Sequence, residues 1–252
     1  MQRLKVKNIG CFIIHLQRAT TRLARVECLS RELPITPSII DAIDGSGMTR
    51  NEEKHYKRHL SRSGPSYPFT LLPTEVATFL SHRKCWQAIL DADMDAALIL
   101  EDDIALEPLV FAQAYEMALS CLAPGDLIRF PIKLREKPAE IILEAEGVSI
   151  IKPKKIGLGM CAQLVTRDAA RKLLERTESF DRPVDTYLQM SWDHELRVLS
   201  VWPSGVSEIS AEIGGSLIRQ RKAFRSRLRR EILRPLYRLR LSLYLKLNTP
   251  RS

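Results

Sequence analysis

The sequence predicts an α/β fold built on a mainly parallel or mixed sheet. Three observations carry that reading. Short continuous apolar runs (IGCFIIHL from Ile9, AALIL at 96–100, LIRFPI at 127–132) have strand length. Between them lie segments whose apolar residues recur three and four apart, as on one face of a helix. The two patterns alternate along the chain from Ile9 to Val206, which is the signature of strands connected through helices. The chain has 252 residues, 45% hydrophobic and 27% charged. That is enough to bury a sizeable core, and it excludes a disordered chain, a collagen-like fibre and a multi-pass membrane protein.

Ile9 to Leu16 reads as a buried strand, followed by an Arg-studded helix that starts at Thr20 or Thr21 and runs to about Leu33. Pro34 and Pro37 end that pattern, and IIDAIDGSG gives a short strand and a turn. Residues 49–70 are polar and irregular and read as an exposed excursion. Thr74 is then the expected N-cap of a helix carrying Val76, Phe79, Leu80, Trp86, Ile89 and Leu90 on its apolar side. AALIL (96–100) follows as a strand, Pro108–Leu122 as a helix, and LIRFPI as another strand. GLGMCAQLV (157–165) gives a glycine turn and a strand, after which Thr166 caps a helix through Arg176.

Basic charge is concentrated at one end. Residues 217–252 hold 12 Lys/Arg and one acid, a net +11, while residues 1–216 hold 27 basic and 29 acidic residues, a net −2. The expected division is therefore a globular body at 1–216 and a basic helical tail at 217–252. In the tail, Phe224, Leu228, Ile232, Leu236, Leu239, Leu243 and Leu247 recur at helical spacing between arginines, with Pro235 inside the run. An amphipathic basic helix of this kind suits an anionic membrane surface. Packing on the body, oligomerisation and a nucleic-acid arm are its alternatives. Leucines rather than aromatics in the stripe argue against nucleic acid. The five cysteines have no C-x-x-C spacing and an odd total, so reduced, buried thiols are expected rather than a disulfide framework or zinc knuckle. The N-terminal segment has basic and apolar residues but includes His15 and no small-residue cleavage site before Arg18. It reads as a first strand rather than a signal peptide.

The chemistry concentrates in ALILEDDIALEP, an apolar strand ending in Glu101, Asp102 and Asp103. Open α/β sheets bind ligands at the carboxyl ends of their strands. If the strand persists, Glu101 and Asp103 share one face, and two hard oxygen donors suit Mg²⁺ or Mn²⁺. Strand ends are also commonly acidic for no such reason, and acids favour a following helix N-terminus. His82 falls beside Phe79 and Trp86, where a core histidine and a ligand contact both fit. DRPVDTYLQ (181–189) supplies Asp185, either a helix cap or a general base. No phosphate loop, dinucleotide fingerprint, zincin or nucleophile-elbow motif is present.

The ordered set LPTEVATFLSHRKCW, ALILEDD and RPVDTYL resembles glycosyltransferase family 25, the enzymes of bacterial lipopolysaccharide and lipooligosaccharide synthesis. DAIDG (41–45) and GLGMCAQLVTRDAARKLL agree with it, so the resemblance spans about Ile9 to Val206. It implies a GT-A-like nucleotide-diphospho-sugar transferase fold and inverting transfer from a UDP-sugar, commonly UDP-galactose. It also implies that Glu101 and Asp103 hold a divalent metal, Mn²⁺ or Mg²⁺. Asp102, Asp44, Ser81, His82 and the arginines Arg18 and Arg22 would then bind the donor, with Asp185 as catalytic base. Two departures stand out. His15-Leu16-Gln17-Arg18 replaces the family's usual Asn-Leu-Asp-Arg, and no aromatic follows Gly159. The expected acceptor is a lipid-linked glycan, with the enzyme peripheral on the cytoplasmic face of a bacterial inner membrane and no nucleic-acid partner. The rival class is a non-catalytic basic module that binds anionic lipid or nucleic acid through the tail. A metal-dependent nuclease would need a basic cleft in the body, which the −2 balance disfavours.

Overall fold

A computed structural model describes residues 3–49, 64–209 and 224–248. The expected excursion at 49–70 therefore lies mostly outside the described residues, as do 217–223 and 249–252 of the tail. The architecture is mixed α/β, as expected. Its strands are β1 (Ile9–His15), β2 (Ser38–Asp41), β3 (Ala96–Glu101), β4 (Ile104–Leu106), β5 (Asp126–Arg129), β6 (Pro138–Ala145), β7 (Val148–Pro153), β8 (Ala162–Thr166), β9 (Arg197–Trp202) and β10 (Val206–Glu208). Its α-helices are α1 (Leu23–Glu32), α2 (Pro73–Asp91), α3 (Pro108–Cys121), α4 (Arg167–Arg176), α5 (Val184–Leu188), α6 (Ser191–His194) and α7 (Phe224–Asn248).

Eight strands form one sheet in the order β2-β1-β3-β8-β5-β9-β7-β6, and β4 pairs with β10 in a separate ribbon. β2, β1 and β3 run parallel, so their carboxyl ends open on the same edge. β8 is antiparallel to both β3 and β5, which makes the sheet mixed. Both faces are covered. Cys11, Ile13, Leu98 and Leu100 pack with Val26 and Leu29 of α1 and Phe111, Ala114 and Ala118 of α3. Their neighbours Phe12, Ile14, Ala97 and Ile99 pack on the opposite face with Phe79, Trp86 and Ile89 of α2 and Ala169, Ala170 and Leu173 of α4. Burial on both faces is why these strands read as unbroken apolar runs rather than alternating ones.

The helix expected to begin with Thr74 as N-cap begins two residues earlier, with Leu72 at the cap position. Pro73 takes the first helical position, where its fixed φ fits and its missing N–H is no loss. The Glu75 carboxylate accepts from the Leu72 N–H at 2.7 Å, so the cap is built from the third turn residue rather than from the threonine. The hairpin β6–β7 and the strands β9 and β10 add to the expected elements. The hairpin turns at Glu146-Gly147, both at positive φ (50° and 80°), the conformation of a two-residue hairpin loop.

α7 packs on the body rather than standing apart from it. Tyr237 and Leu241 are buried. The Tyr237 hydroxyl accepts from Arg182 at 2.9 Å, and Tyr244 lies against Trp192 with ring centroids 4.7 Å apart. Leu236, Leu239, Leu243 and Leu247 face outward, 46% to 83% exposed.

His194, at the end of α6, is fully engaged in the core. Its Nε2–H donates to the Leu188 carbonyl at 2.9 Å, and its Nδ1 accepts from the Leu196 N–H at 3.0 Å. Burial, the largest cause, lowers its pKa to about 4. Protonation would add a proton at the nitrogen that must accept. The unfolded chain takes up that proton near pH 6.5 and the folded chain only near pH 4, so stability is full above 6.5 and falls as pH drops toward 4. The loss from this residue should be on the order of 3 kcal/mol. Urea midpoints recorded from pH 7 to 4 should fall, and His194→Asn should flatten that slope.

Candidate functional site

The carboxyl ends of β1, β2 and β3 bring together residues far apart in sequence. Parallel register sets Ile14 beside Glu101 and His15 beside Asp41. β3 ends at Glu101, and Asp102 and Asp103 form the turn into β4. The strand therefore does not continue through the acids, and the turn rather than the pleat separates their directions.

Asp102 is 5% exposed, and both of its oxygens are engaged. Oδ2 accepts from His15 Nδ1 at 2.7 Å and Oδ1 from Arg22 Nη1 at 2.5 Å. Arg22 sits at the N-cap position of α1 and is itself buried. It is 3.6 Å from the Asp103 carboxylate. Burial, followed by the charge of Glu101 and with smaller contributions from Asp102 and Glu208, pushes the Asp103 carboxyl up to about 7, against the pull of Arg22.

His82, fully buried on α2, is held from both sides. Its Nδ1 accepts from the Gln163 amide of β8 at 3.0 Å, which leaves Nε2–H facing Glu101 Oε1 at 3.3 Å. The Glu101 N–H donates to the Cys161 carbonyl at 2.8 Å, and burial raises the Cys161 thiol pKa well above the ordinary thiol value. Ser81, one residue earlier, donates to the Ala77 carbonyl and accepts from the Ile43 N–H at 2.9 Å, tying the 42–45 loop to α2. In that loop the Asp44 carboxylate accepts from Arg18 Nε at 2.5 Å and Nη2 at 3.1 Å, and from the Ser46 N–H at 2.8 Å. These partners, Arg18 foremost, hold its pKa well below the usual carboxylate range. Gly45 is required beside it, because a Cβ there would lie 2.8 Å from the backbone of Pro73 and Thr74.

Arg18, Arg22, Asp44, Ser81, His82, Glu101, Asp102 and Asp103 all line one open cleft, floored by Ile14, Ala77 and Ala42. Asp185 does not line it. Its Oδ2 accepts from the Gly159 N–H at 3.0 Å and its Oδ1 from the Thr186 N–H at 2.6 Å. Gly159 borders a second, larger cavity. Two residues of the cleft's support were not among the expected ones, His15 and Gln163. Each is a lone polar side chain in a buried apolar strand, and that was their signal in the sequence.

Among the described residues, no group of three or more His, Cys, Asp or Glu side chains is arranged to hold a metal ion. The cleft's charge nevertheless fits a cation that also binds substrate. It carries four carboxylates and two guanidiniums. Asp102 and Asp44 are committed to protein partners, which leaves Glu101 and Asp103 as the oxygen donors. Two carboxylates completed by water and phosphate oxygens are a usual Mg²⁺ arrangement.

A doubly covered α/β sheet with an arginine- and carboxylate-lined cleft at the carboxyl edge of its parallel strands has the composition of a phosphate- and cation-binding site. The chain belongs to glycosyltransferase family 25, whose profile, described as "Glycosyltransferase family 25 (LPS biosynthesis protein)", matches residues 8–188. It is 29% identical over 192 residues to a glycosyltransferase 25 family member of Anopheles gambiae, covering 73% of this chain and 31% of that protein. It is 26% identical over 210 residues to the probable inactive glycosyltransferase 25 family member 3 of Rattus norvegicus, covering 79% and 36%. A shorter match, 29% over 101 residues, joins it to procollagen galactosyltransferase 2 of Mus musculus, covering 38% and 16%. The chain thus spans about a third or less of the length of these relatives.

Removing the Asp102 carboxylate would leave the buried Arg22 without its closest anion. Asp102→Ala should destabilise the fold by about 3 kcal/mol or more. Asp44→Ala, which breaks a solvent-exposed pair, should shift the urea midpoint far less.

Proposed function

We propose that the chain is an inverting glycosyltransferase that moves a hexose from a UDP-sugar to a glycan acceptor. The observation that carries this reading is the convergence of Arg18, Arg22, Asp44, Ser81 and His82 on the same cleft as Glu101 and Asp103. The nucleoside would lie by Asp44 and Ser81, and the diphosphate near the guanidiniums, in a GT-A-like sheet. Galactose is supported by the likeness to a mouse procollagen galactosyltransferase, and a lipopolysaccharide-type acceptor by the family's place in lipopolysaccharide biosynthesis. A Mn²⁺ or Mg²⁺ ion bound through Glu101 and Asp103 would neutralise the diphosphate and ease departure of UDP. A dianion would otherwise enter a cleft in which carboxylates outnumber guanidiniums.

The protein's part is orientation and proton removal. His82, its ring fixed by Gln163, keeps Glu101 turned toward the cleft. The acceptor hydroxyl oxygen attacks the anomeric carbon as the bond to UDP breaks, in one in-line displacement that inverts the centre. A base takes the hydroxyl proton. Asp185 is our choice for it, since Oδ2 keeps a lone pair beyond the Gly159 hydrogen bond. Asp103→Asn should lower transfer at least a hundredfold in a UDP-galactose assay while the protein remains folded, and excess chelator should do the same to the native chain. Asp185→Asn should lower transfer comparably while UDP affinity, read by calorimetry, stays within about twofold. Full turnover in chelator would overturn the metal, and a parallel collapse of UDP binding would move Asp185 to the donor side.

We further propose that the chain works at an anionic membrane surface, through α7. No described helix is long and apolar enough to cross a membrane. The outward leucines at 236, 239, 243 and 247 lie beside exposed Arg240 and Lys246, a pairing that suits acyl chains and anionic headgroups. Each cation near such a surface is worth about 1 kcal/mol. Replacing Leu239, Leu243 and Leu247 together by Gln should abolish co-sedimentation with phosphatidylglycerol vesicles, and native binding should weaken with rising salt.

A further inference from the structure

The second cavity, of about 790 Å³, is walled by the end of β5, the 131–137 segment, the 154–161 loop and α7. Seven of its lining residues are cationic and two are acidic. One acid, Glu136, is committed to Arg129 through a buried ion pair and to the Gly157 N–H at 2.5 Å. That leaves Lys133, Arg135, Lys137, Lys154, Lys155 and Arg238 around the space, with Glu208 as the remaining acid of the lining. The body's near-zero net charge thus conceals a strongly positive hollow.

Several details say that this hollow is built rather than incidental. Arg129, 2% exposed, donates from Nη2 to the carbonyls of Leu158 and Gly159 at 3.1 and 2.9 Å, fixing the glycine loop as the cavity wall. Gly159 holds that loop at φ +97°, and a Cβ on Gly157 would press on the Glu136 carboxylate at 3.0 Å. Arg129 Nε and Glu136 Oε2 are buried there without a hydrogen-bond partner. On the opposite wall, burial and the nearby charge of Arg238 lower the pKa of Lys155, so two cations face one space.

The position is as informative as the charge. Cys161 lines the cavity, and its carbonyl accepts from the Glu101 N–H of the donor cleft at 2.8 Å. Glu208 lines it too, and its charge acts on Asp103. Cleft and cavity therefore stand on either side of one acidic edge. Asp185 is bonded to Gly159 of the cavity wall.

We propose that this cavity binds the acceptor, and that it selects an acceptor saccharide bearing a phosphate group. The assignment to the acceptor rests on the donor reading of the cleft; the phosphate specificity rests on the cavity alone. A phosphate offers three oxygens and up to two charges to a ring of lysine and arginine donors, whereas a carboxylate offers two oxygens and one charge. A neutral sugar would leave the lining's excess of cations over acids without added counter-charge.

The test uses the full chain, with glucose 6-phosphate, glucose and glucuronate as soluble probes in ligand-observed NMR titrations. Glucose 6-phosphate should bind at least tenfold more tightly than either of the others. The triple substitution Lys133→Ser, Lys137→Ser, Lys154→Ser, confined to exposed side chains, should erase that preference. UDP affinity should be unchanged by it, and UDP should not displace glucose 6-phosphate. Equal binding of all three probes, indifference to the triple substitution, or displacement by UDP would each overturn the proposal. A chain that holds glucose 6-phosphate in this way but binds no UDP would keep the phosphate site and refute the donor reading instead.

Discussion

A single buried carboxylate organises the working edge of this protein. Asp102 holds His15 at the end of β1 with one oxygen and Arg22 at the start of α1 with the other. It thereby fixes three segments that the sheet alone would leave to meet loosely at a strand end. Such a triad is costly to desolvate, and its two hydrogen-bonded partners are what offset that cost. The consequence for chemistry is that Asp102 serves as a strut, so that Glu101 and Asp103 on either side keep their oxygens for other partners. Arg22 bridges both roles, because it lies 2.5 Å from the strut and 3.6 Å from Asp103.

Charge segregation is the second organising feature, and whole-chain composition hides it. The body's 27 cations and 29 anions nearly cancel, yet four carboxylates gather in one cleft, and five of the body's cations, joined by Arg238 of α7, surround the neighbouring cavity. Opposite fields on two sides of one acidic edge steer different ligands to different sides, an effect that low-dielectric walls strengthen. A donor diphosphate and an acceptor anion then need not compete for the same arginines. The near-neutral balance that told against a basic cleft in the body was thus an average over two opposed regions.

Much of the fold was legible because the strands that matter are buried on both faces. β1 and β3 announce themselves as unbroken apolar runs, and α2, α3 and α4 by their helical spacing. The hairpin β6–β7 was not read. β6 is an edge strand, largely exposed, and its charged residues at 140 and 144 dilute the pattern. The Glu146-Gly147 turn was the available signal. The Thr74 cap was misread because a hydroxyl near a helix start is only one way to satisfy the first N–H groups, and Pro73 with Glu75 supplied another. At the site, residue type was legible but partnership was not. Nothing local in the sequence says that Asp102 is spent on Arg22 across 80 positions. The cavity's cations, scattered from residue 129 to 238, have no spacing at all until the fold collects them.

The tail gives the strongest case of context changing the meaning of a pattern. By periodicity, α7 is an amphipathic helix with one leucine stripe, free to leave the body. In the fold it has two apolar sides with different tasks. Tyr237 and Leu241 are turned inward, and the Tyr237 hydroxyl accepts from Arg182, a guanidinium 2% exposed that also grips Asp181. Cutting the helix away would open that buried cation to solvent and remove Arg238 and the Ser242 partner of Lys155 from the cavity wall. The outward leucines at 236, 239, 243 and 247 are a separate surface, a quarter turn or more around the same helix. One element therefore closes the cavity with one side and offers an apolar, arginine-flanked stripe with another. The same packing that buries Tyr237 and Leu241 sets both where Arg238 stands at the cavity and which leucines are left outward.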